Sequence, residues 1–264
     1  MISTMGFASL AGAHEYYLLP ETFSPKAGQS ITVSHKLGQK FFGNEMPWVD
    51  HWNVRSELWH NGTASALKGT LGDRPALKIG AVQPGLSIVV HQSNVDFITF
   101  KEWEKFKAYV EKEGLTGGLA PSLEGRKPMT DLREGYSRFA KTLVYSGTPQ
   151  EQAAAKDQAT GLKIELVALD NPTTLAADEA LRVQALYEGK PYQGGQVTVF
   201  VGTKTEVAHR IITDENGIAR IPAGGPGPYL LNIIKMTDPQ SKEAQDEKAH
   251  WESFWASLTF QRAG

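Results

Sequence analysis

Seven histidines and no cysteine set the metal chemistry open to this chain. The histidines stand at 14, 35, 51, 60, 91, 209 and 250, so a site must use imidazole, carboxylate or an α-amine. Such donors suit nickel, cobalt, copper or zinc. Disulfides, thiolate sites and thiol nucleophiles are excluded together. No His-Glu-x-x-His spacing occurs, which removes the helical zinc-protease pattern. There is no Gly-x-Ser-x-Gly elbow either, and Gly224-Gly225-Pro226-Gly227-Pro228 lacks the Lys-Thr or Lys-Ser of a phosphate loop. The expectation is a protein that binds and is not an enzyme.

His14 is the candidate anchor. Ala11 and Ala13 have the spacing a signal peptidase reads, behind a short apolar run from Met5 to Leu10. Residues 1–13 carry no Lys or Arg, so Met1 reads as a late start with the charged region upstream. Cleavage after Ala13 would make His14 the first residue, offering its α-amine and its ring nitrogen to one metal ion. The same cut predicts a periplasmic or secreted protein.

Two further ligands follow from strand pairing. Ile31-Thr32-Val33-Ser34-His35 alternates and is rich in β-branched residues, as a strand requires. Antiparallel pairing of residues 14–19 with 29–36, opposed residues summing to about 52, brings His14 near Gly38 and within side-chain reach of His35. A shift of one residue would turn His35 to the other face. His91 ends the strand Leu86-Ser87-Ile88-Val89-Val90, and strand ends collect at one rim of a sandwich. The expected metal set is therefore His14, His35 and His91. His51, beside Asp50, His60 before the Asn61-Gly62 turn, His209 in a strand and His250 in a charged stretch read as ordinary surface or sheet positions. Trp48-Val49-Asp50-His51-Trp52 would also suit a platform for sugar rings, whereas Trp103 and Trp255 read as core.

The surrounding pattern is mainly β: two immunoglobulin-like β-sandwich domains with a short helical insert. Residues 14–146 form the first domain and residues 161–264 the second, joined by a Gln- and Ala-rich connection. The insert spans about 100–143: Phe100, Trp103, Phe106 and Val110 recur at helical spacing, and Tyr136, Phe139, Ala140 and Leu143 read as a second helix passing into a strand. In the second domain seven short alternating strands fall within about a hundred residues, the immunoglobulin-like count. A net charge of −2, with both signs mixed along the chain, argues against nucleic acid as a partner. No apolar run approaches the ~18–20 residues of a membrane-spanning helix.

Four stretches carry a family resemblance. Ala13-His14-Glu15-Tyr16-Tyr17-Leu18-Leu19-Pro20 resembles the Ala-His-Glu-Phe-Trp-Leu-Glu-Pro opening of a bacterial periplasmic family of unassigned function, with Tyr-Tyr in place of Phe-Trp. Pro84-Gly85 with its flanking strands, Tyr136 through Lys141, and Trp251 through Phe260 are similar to its other landmarks, although His250 stands where a polar or acidic residue is expected. That family was once classed as the NikM-like periplasmic component of nickel or cobalt uptake. Gly189-Lys190-Pro191, Gly195-Gln196-Val197 and Thr213-Asp214-Glu215-Asn216-Gly217 are similar to a carboxypeptidase-regulatory-like module, a small sandwich without catalysis. The resemblance implies an exported two-domain protein that binds a transition metal and works with a membrane transporter or another envelope protein. The competing reading is a metal-free glycan- or protein-binding adhesion module of the cell envelope.

Overall fold

Asn61-Gly62 makes a two-residue hairpin turn. Both residues take positive φ, 48° and 76°, the backbone that a two-residue hairpin demands. This computed structural model describes residues 15–38, 41–115, 129–176, 178–202 and 207–263.

The first half contains β1 (Tyr16–Pro20), β2 (Ile31–Leu37), β3 (Asn44–Met46), β4 (Asn53–His60) and β5 (Thr63–Ala66). It continues with β6 (Leu77–Ile79), β7 (Gly85–Ser93), β8 (Asp96–Phe100), helix α1 (Trp103–Lys112) and the long β9 (Leu132–Ser146). Helix α2 (Pro149–Ala154) starts on a capping box between Thr148 and Glu151. The second half holds β10 (Ile164–Ala168), β11 (Leu181–Tyr187), β12 (Lys190–Pro191), β13 (Gln196–Val201) and β14 (His209–Ile212). It closes with β15 (Ile218–Ile221), β16 (Gly227–Thr237), helix α3 (Lys242–Asp246) and β17 (Trp251–Arg262).

A nine-stranded sheet in the order β14-β13-β16-β17-β9-β7-β4-β5, with β8 also on β9, runs through both halves. Its halves join where β17 lies parallel to β9, from Trp251 opposite Glu134 to Thr259 opposite Thr142. Two four-stranded sheets complete the fold: β1, β3 and β6 paired on β2, and β10, β12 and β15 paired on β11.

Strand alternation explains how one large sheet is covered on both faces. On β7 and β9, Leu86, Ile88, Val90, Phe139, Leu143 and Tyr145 pack with residues of β10, β11 and β15. The intervening Val89, Ala140 and Val144 pack instead with Leu18, Ile31, Val33 and Leu77 of the β1–β2–β6 sheet. Farther along that second face, Ile234, Met236, Trp251 and Trp255 are covered by Phe106, Tyr109 and Val110 of α1. The large sheet is thus the middle layer.

Two expectations are corrected. Residues 132–146 are one strand and not a second helix. Because Phe139 and Leu143 are buried against one layer and Ala140 and Val144 against the other, the apolar run is continuous, and its 3–4 spacing imitates a helix. The chain is mainly β with a few short helices, but the sheet framework is not a pair of closed sandwiches, since strands on either side of the 147–160 connection share one sheet. That connection is itself pinned. Lys141 Nζ lies 2.9 Å from Asp157 Oδ1 and 3.2 Å from Glu165 Oε1, all three side chains fully buried. Glu165 also accepts backbone N–H bonds from Thr160 and Gly161.

Candidate functional site

The layer between β2 and the large sheet is apolar at one end and polar at the other. Along β2, Ile31 and Val33 enter the core, and His35 is the next residue on that face. Along β7 the same face reads Val89, His91, Ser93, and along β9 it reads Val144, Ala140, Arg138, Tyr136. On β1 it passes from Leu18 to Tyr16. Four strands therefore run from hydrophobic to polar side chains at the same end. The result is a cleft of about 150 Å³ whose lining includes Tyr16, His35, His91, Tyr136, Arg138 and Trp52.

His35 and His91 meet in this cleft. Their ring centroids are 4.7 Å apart, and both residues are 2% exposed. Tyr16 lies over both, 5.1 Å from His91 and 5.7 Å from His35, while Trp48 flanks His35 at 6.0 Å. His91 Nδ1 is 3.4 Å from Ser56 Oγ. His35 Nε2 is buried and has no hydrogen-bond partner among the described residues. An imidazole nitrogen out of water with nothing to bind is costly in a finished core, and it leaves one ring nitrogen of His35 unengaged.

Electrostatics keep both rings unprotonated at neutral pH. Burial alone pushes the His35 imidazole down to about 4. His91 is also lowered well below its ordinary value, first by burial, then by His35 and by the Arg138 guanidinium. Arg138 is stacked between two phenol rings, 4.7 Å from the Tyr136 centroid and 5.6 Å from that of Tyr16. Its backbone N–H donates to Ser93 Oγ at 2.9 Å. Tyr136 in turn donates its hydroxyl to Asp96 Oδ2 at 2.9 Å.

Two of the three expected metal residues, His35 and His91, come together; His14 lies outside the described residues. The β1–β2 register is one residue from that expected: Tyr16 faces Leu37 and Leu18 faces His35, so opposed residues sum to 53. His35 consequently shares a face with Tyr16 and Leu18. Tyr17 points the other way, into a small cluster with Phe200 and Leu230.

The remaining histidines are elsewhere. His51 is exposed in a 3-10 turn, and His60 Nδ1 lies 3.0 Å from the Leu86 carbonyl oxygen. His209 opens edge strand β14, and His250 Nδ1 accepts the Arg133 N–H at 3.0 Å. Trp48 is core, its indole N–H bonded to Asp50, whereas Trp52 is 39% exposed at the cleft mouth. Sequence reading passed over Tyr16, Tyr136 and Arg138 as site residues. The signal available was an arginine and a tyrosine interrupting an otherwise buried strand at period two.

No group of three or more His, Cys, Asp or Glu placed to hold a metal occurs among the described residues. Nor is a catalytic group assembled in the cleft: the Ser56–His91 contact is long, and no described carboxylate is hydrogen-bonded to the His91 ring. Among the described residues no helix is long and apolar enough to cross a membrane.

Residues 11–237 match the family described as a domain of unknown function, DUF4198, and the chain belongs to that family. No curated protein matches it. Among solved structures it is similar to the D0-D1 domain of intimin, with 14% identity over 93% of this chain and 97% of that one, at a TM-score of 0.23. The human OSCAR ligand-binding domain is similar at 8% identity over the same shares, with a TM-score of 0.21. The Escherichia coli adhesin FdeC is 15% identical over 96% of this chain and 65% of that one, with a TM-score of 0.22.

Proposed function

We propose that this DUF4198 protein is a non-enzymatic binding protein of the cell envelope, exported to the periplasm or secreted. In this reading its cleft captures a nickel, cobalt, copper or zinc ion as cargo, for delivery to a membrane transporter or another envelope protein. One observation carries the reading: two buried, neutral imidazoles with centroids 4.7 Å apart, one with an unpartnered Nε2. Neutral imidazole is the form that ligates, and this donor chemistry fits the borderline divalent metals.

Two imidazoles are too few for a firm site, and His14 is the proposed third contributor. Even-numbered residues of β1 share the His35 face, and His14 continues the series Leu18, Tyr16 by sequence. As a chain terminus it would add an α-amine, completing a mixed nitrogen set. Affinity then falls with pH mainly through that amine and the His14 ring, because His35 and His91 already resist protonation.

The test is calorimetric titration of nickel, copper and zinc into two forms, one beginning at His14 and one retaining residues 1–13. The form starting at His14 binds at least one of these ions, and the longer form binds more weakly. Equal affinity removes His14 from the site; no binding by either form, with or without a small carboxylate chelator present, refutes the metal reading.

A second reading rests on the absence of a three-donor metal group among the described residues and on the Trp52, Tyr136 and Arg138 side chains at the cleft. In it the cleft is metal-free and docks a glycan or an envelope protein. Tryptophan quenching by sugars, in protein purified without any retained metal, supports that alternative.

A further inference from the structure

The Arg138 guanidinium poses a problem for a bare metal ion in this cleft. It lies over Tyr16, whose ring is 5.1 Å from His91. The guanidinium and the His91 imidazole line the same cleft, so the fixed positive charge opposes a naked divalent cation there. A buried dication beside a guanidinium needs a compensating anion.

The surroundings leave Arg138 available to supply the anchor. No described carboxylate lies within ion-pair distance of its guanidinium, although Asp96 lines the same cleft and binds the Tyr136 hydroxyl. The Tyr16 and Tyr136 rings flank the guanidinium, and the Ser93 bond holds its backbone. The Arg138 side chain is also hydrogen-bonded to Tyr136, and a guanidinium held in this way with no described carboxylate on it offers the two-pronged geometry that carboxylates accept. The 150 Å³ of space corresponds to about five water volumes, room for more than one ion.

Resting on the metal reading above, we propose that the cleft takes its metal as a complex with a small carboxylate chelator. The chelator's free carboxylate sits on Arg138, and its metal is shared with His35 and His91. The anion completes the coordination sphere that two or three protein nitrogens leave open, and it neutralises the guanidinium.

Equilibrium dialysis with radiolabelled nickel and radiolabelled citrate, using the form that begins at His14, tests this. Wild-type protein retains nickel and citrate together in equal amounts, and His35→Ala retains neither. Arg138→Gln lowers the affinity for nickel–citrate about ten- to a hundredfold, the range of a lost charged hydrogen-bond pair. The same variant binds citrate-free nickel as tightly as wild type or more tightly, which also shows that it is folded. Nickel retained without citrate, with Arg138→Gln binding nickel–citrate like wild type, overturns this inference and leaves the metal site standing. Retention of neither ligand by wild type overturns the metal reading itself. Citrate held equally well with and without nickel overturns the shared complex and assigns Arg138 to a plain anion site.

Discussion

Replacing His35 by leucine should change the acid sensitivity of the metal-free protein by a predictable amount. The His35 imidazole has an ordinary value near 6.5 when the chain is unfolded and about 4 in the fold, because burial penalises its charged form. Above 6.5 both states hold a neutral ring. As pH falls below 6.5 the unfolded chain takes up a proton that the folded chain refuses, so stability present at neutral pH is progressively lost. The loss is complete near pH 4. Two and a half pH units correspond to about 3 kcal/mol, an appreciable share of the ~5–15 kcal/mol stability of an ordinary domain. His35→Leu cannot take that proton. Glu134 in the α1 layer, which also titrates in this range, is common to both proteins and drops out of the difference. The assay is urea unfolding followed by far-ultraviolet circular dichroism, with EDTA present, at half-unit steps from pH 7.5 to 4.5. The stability of wild type minus that of the variant should decline by about 2–3 kcal/mol across that window. Parallel curves would mean that the ring titrates normally in the fold, and the buried imidazole pair would not exist as described.

Further tests reach the rest of the frame. Lys141→Met leaves the buried Asp157 and Glu165 without their cation and should cost about 3–5 kcal/mol in urea unfolding; adding Asp157→Asn and Glu165→Gln should recover part of it, and no recovery would show that the loss is one of packing. Glu134 is pushed up to about 7 by burial, against the pull of the Ser253 and Tyr109 hydroxyls it accepts. Its charged form therefore destabilises the fold, with no penalty below about pH 4.5 and the full penalty above 7. Stability should fall as pH rises between those limits, and Glu134→Gln should flatten that part of the profile. Arg138→Gln raises the proton affinity of His91 by removing a neighbouring cation; an upfield-to-downfield shift of the His91 ring resonance at higher pH in the variant, read by nuclear magnetic resonance, checks it.

Local rules made much of the β framework legible. Alternation in β2 and β11, the Asn61-Gly62 hairpin and seven of the eight strands after residue 162 are written in short-range pattern, because each buries one face or turns on residues with a fixed backbone preference. Strand β9 defeated the same reading because both its faces are buried, which erases the period of two. The parallel pairing of β9 with β17 joins residues more than a hundred positions apart, and nothing near either strand encodes it. The site divided along the same line. His35 and His91 could be foreseen because each follows a β-branched run, so it inherits the direction of the core face one step beyond the core. Tyr16 required the register, which parity decides: a sum of 52 would have sent His35 toward Tyr17, and the observed 53 sends it toward Tyr16. Arg138 required knowing that β9 is a strand at all, since on a helix it would not share a face with Tyr136 and Ala140. The charged partner of the cleft was therefore hidden by the element that sequence periodicity misassigned. The same two-sided burial that hid it also fixes it, since the odd-numbered face of β9 is locked in the core while the even-numbered face presents Arg138 to the two histidines.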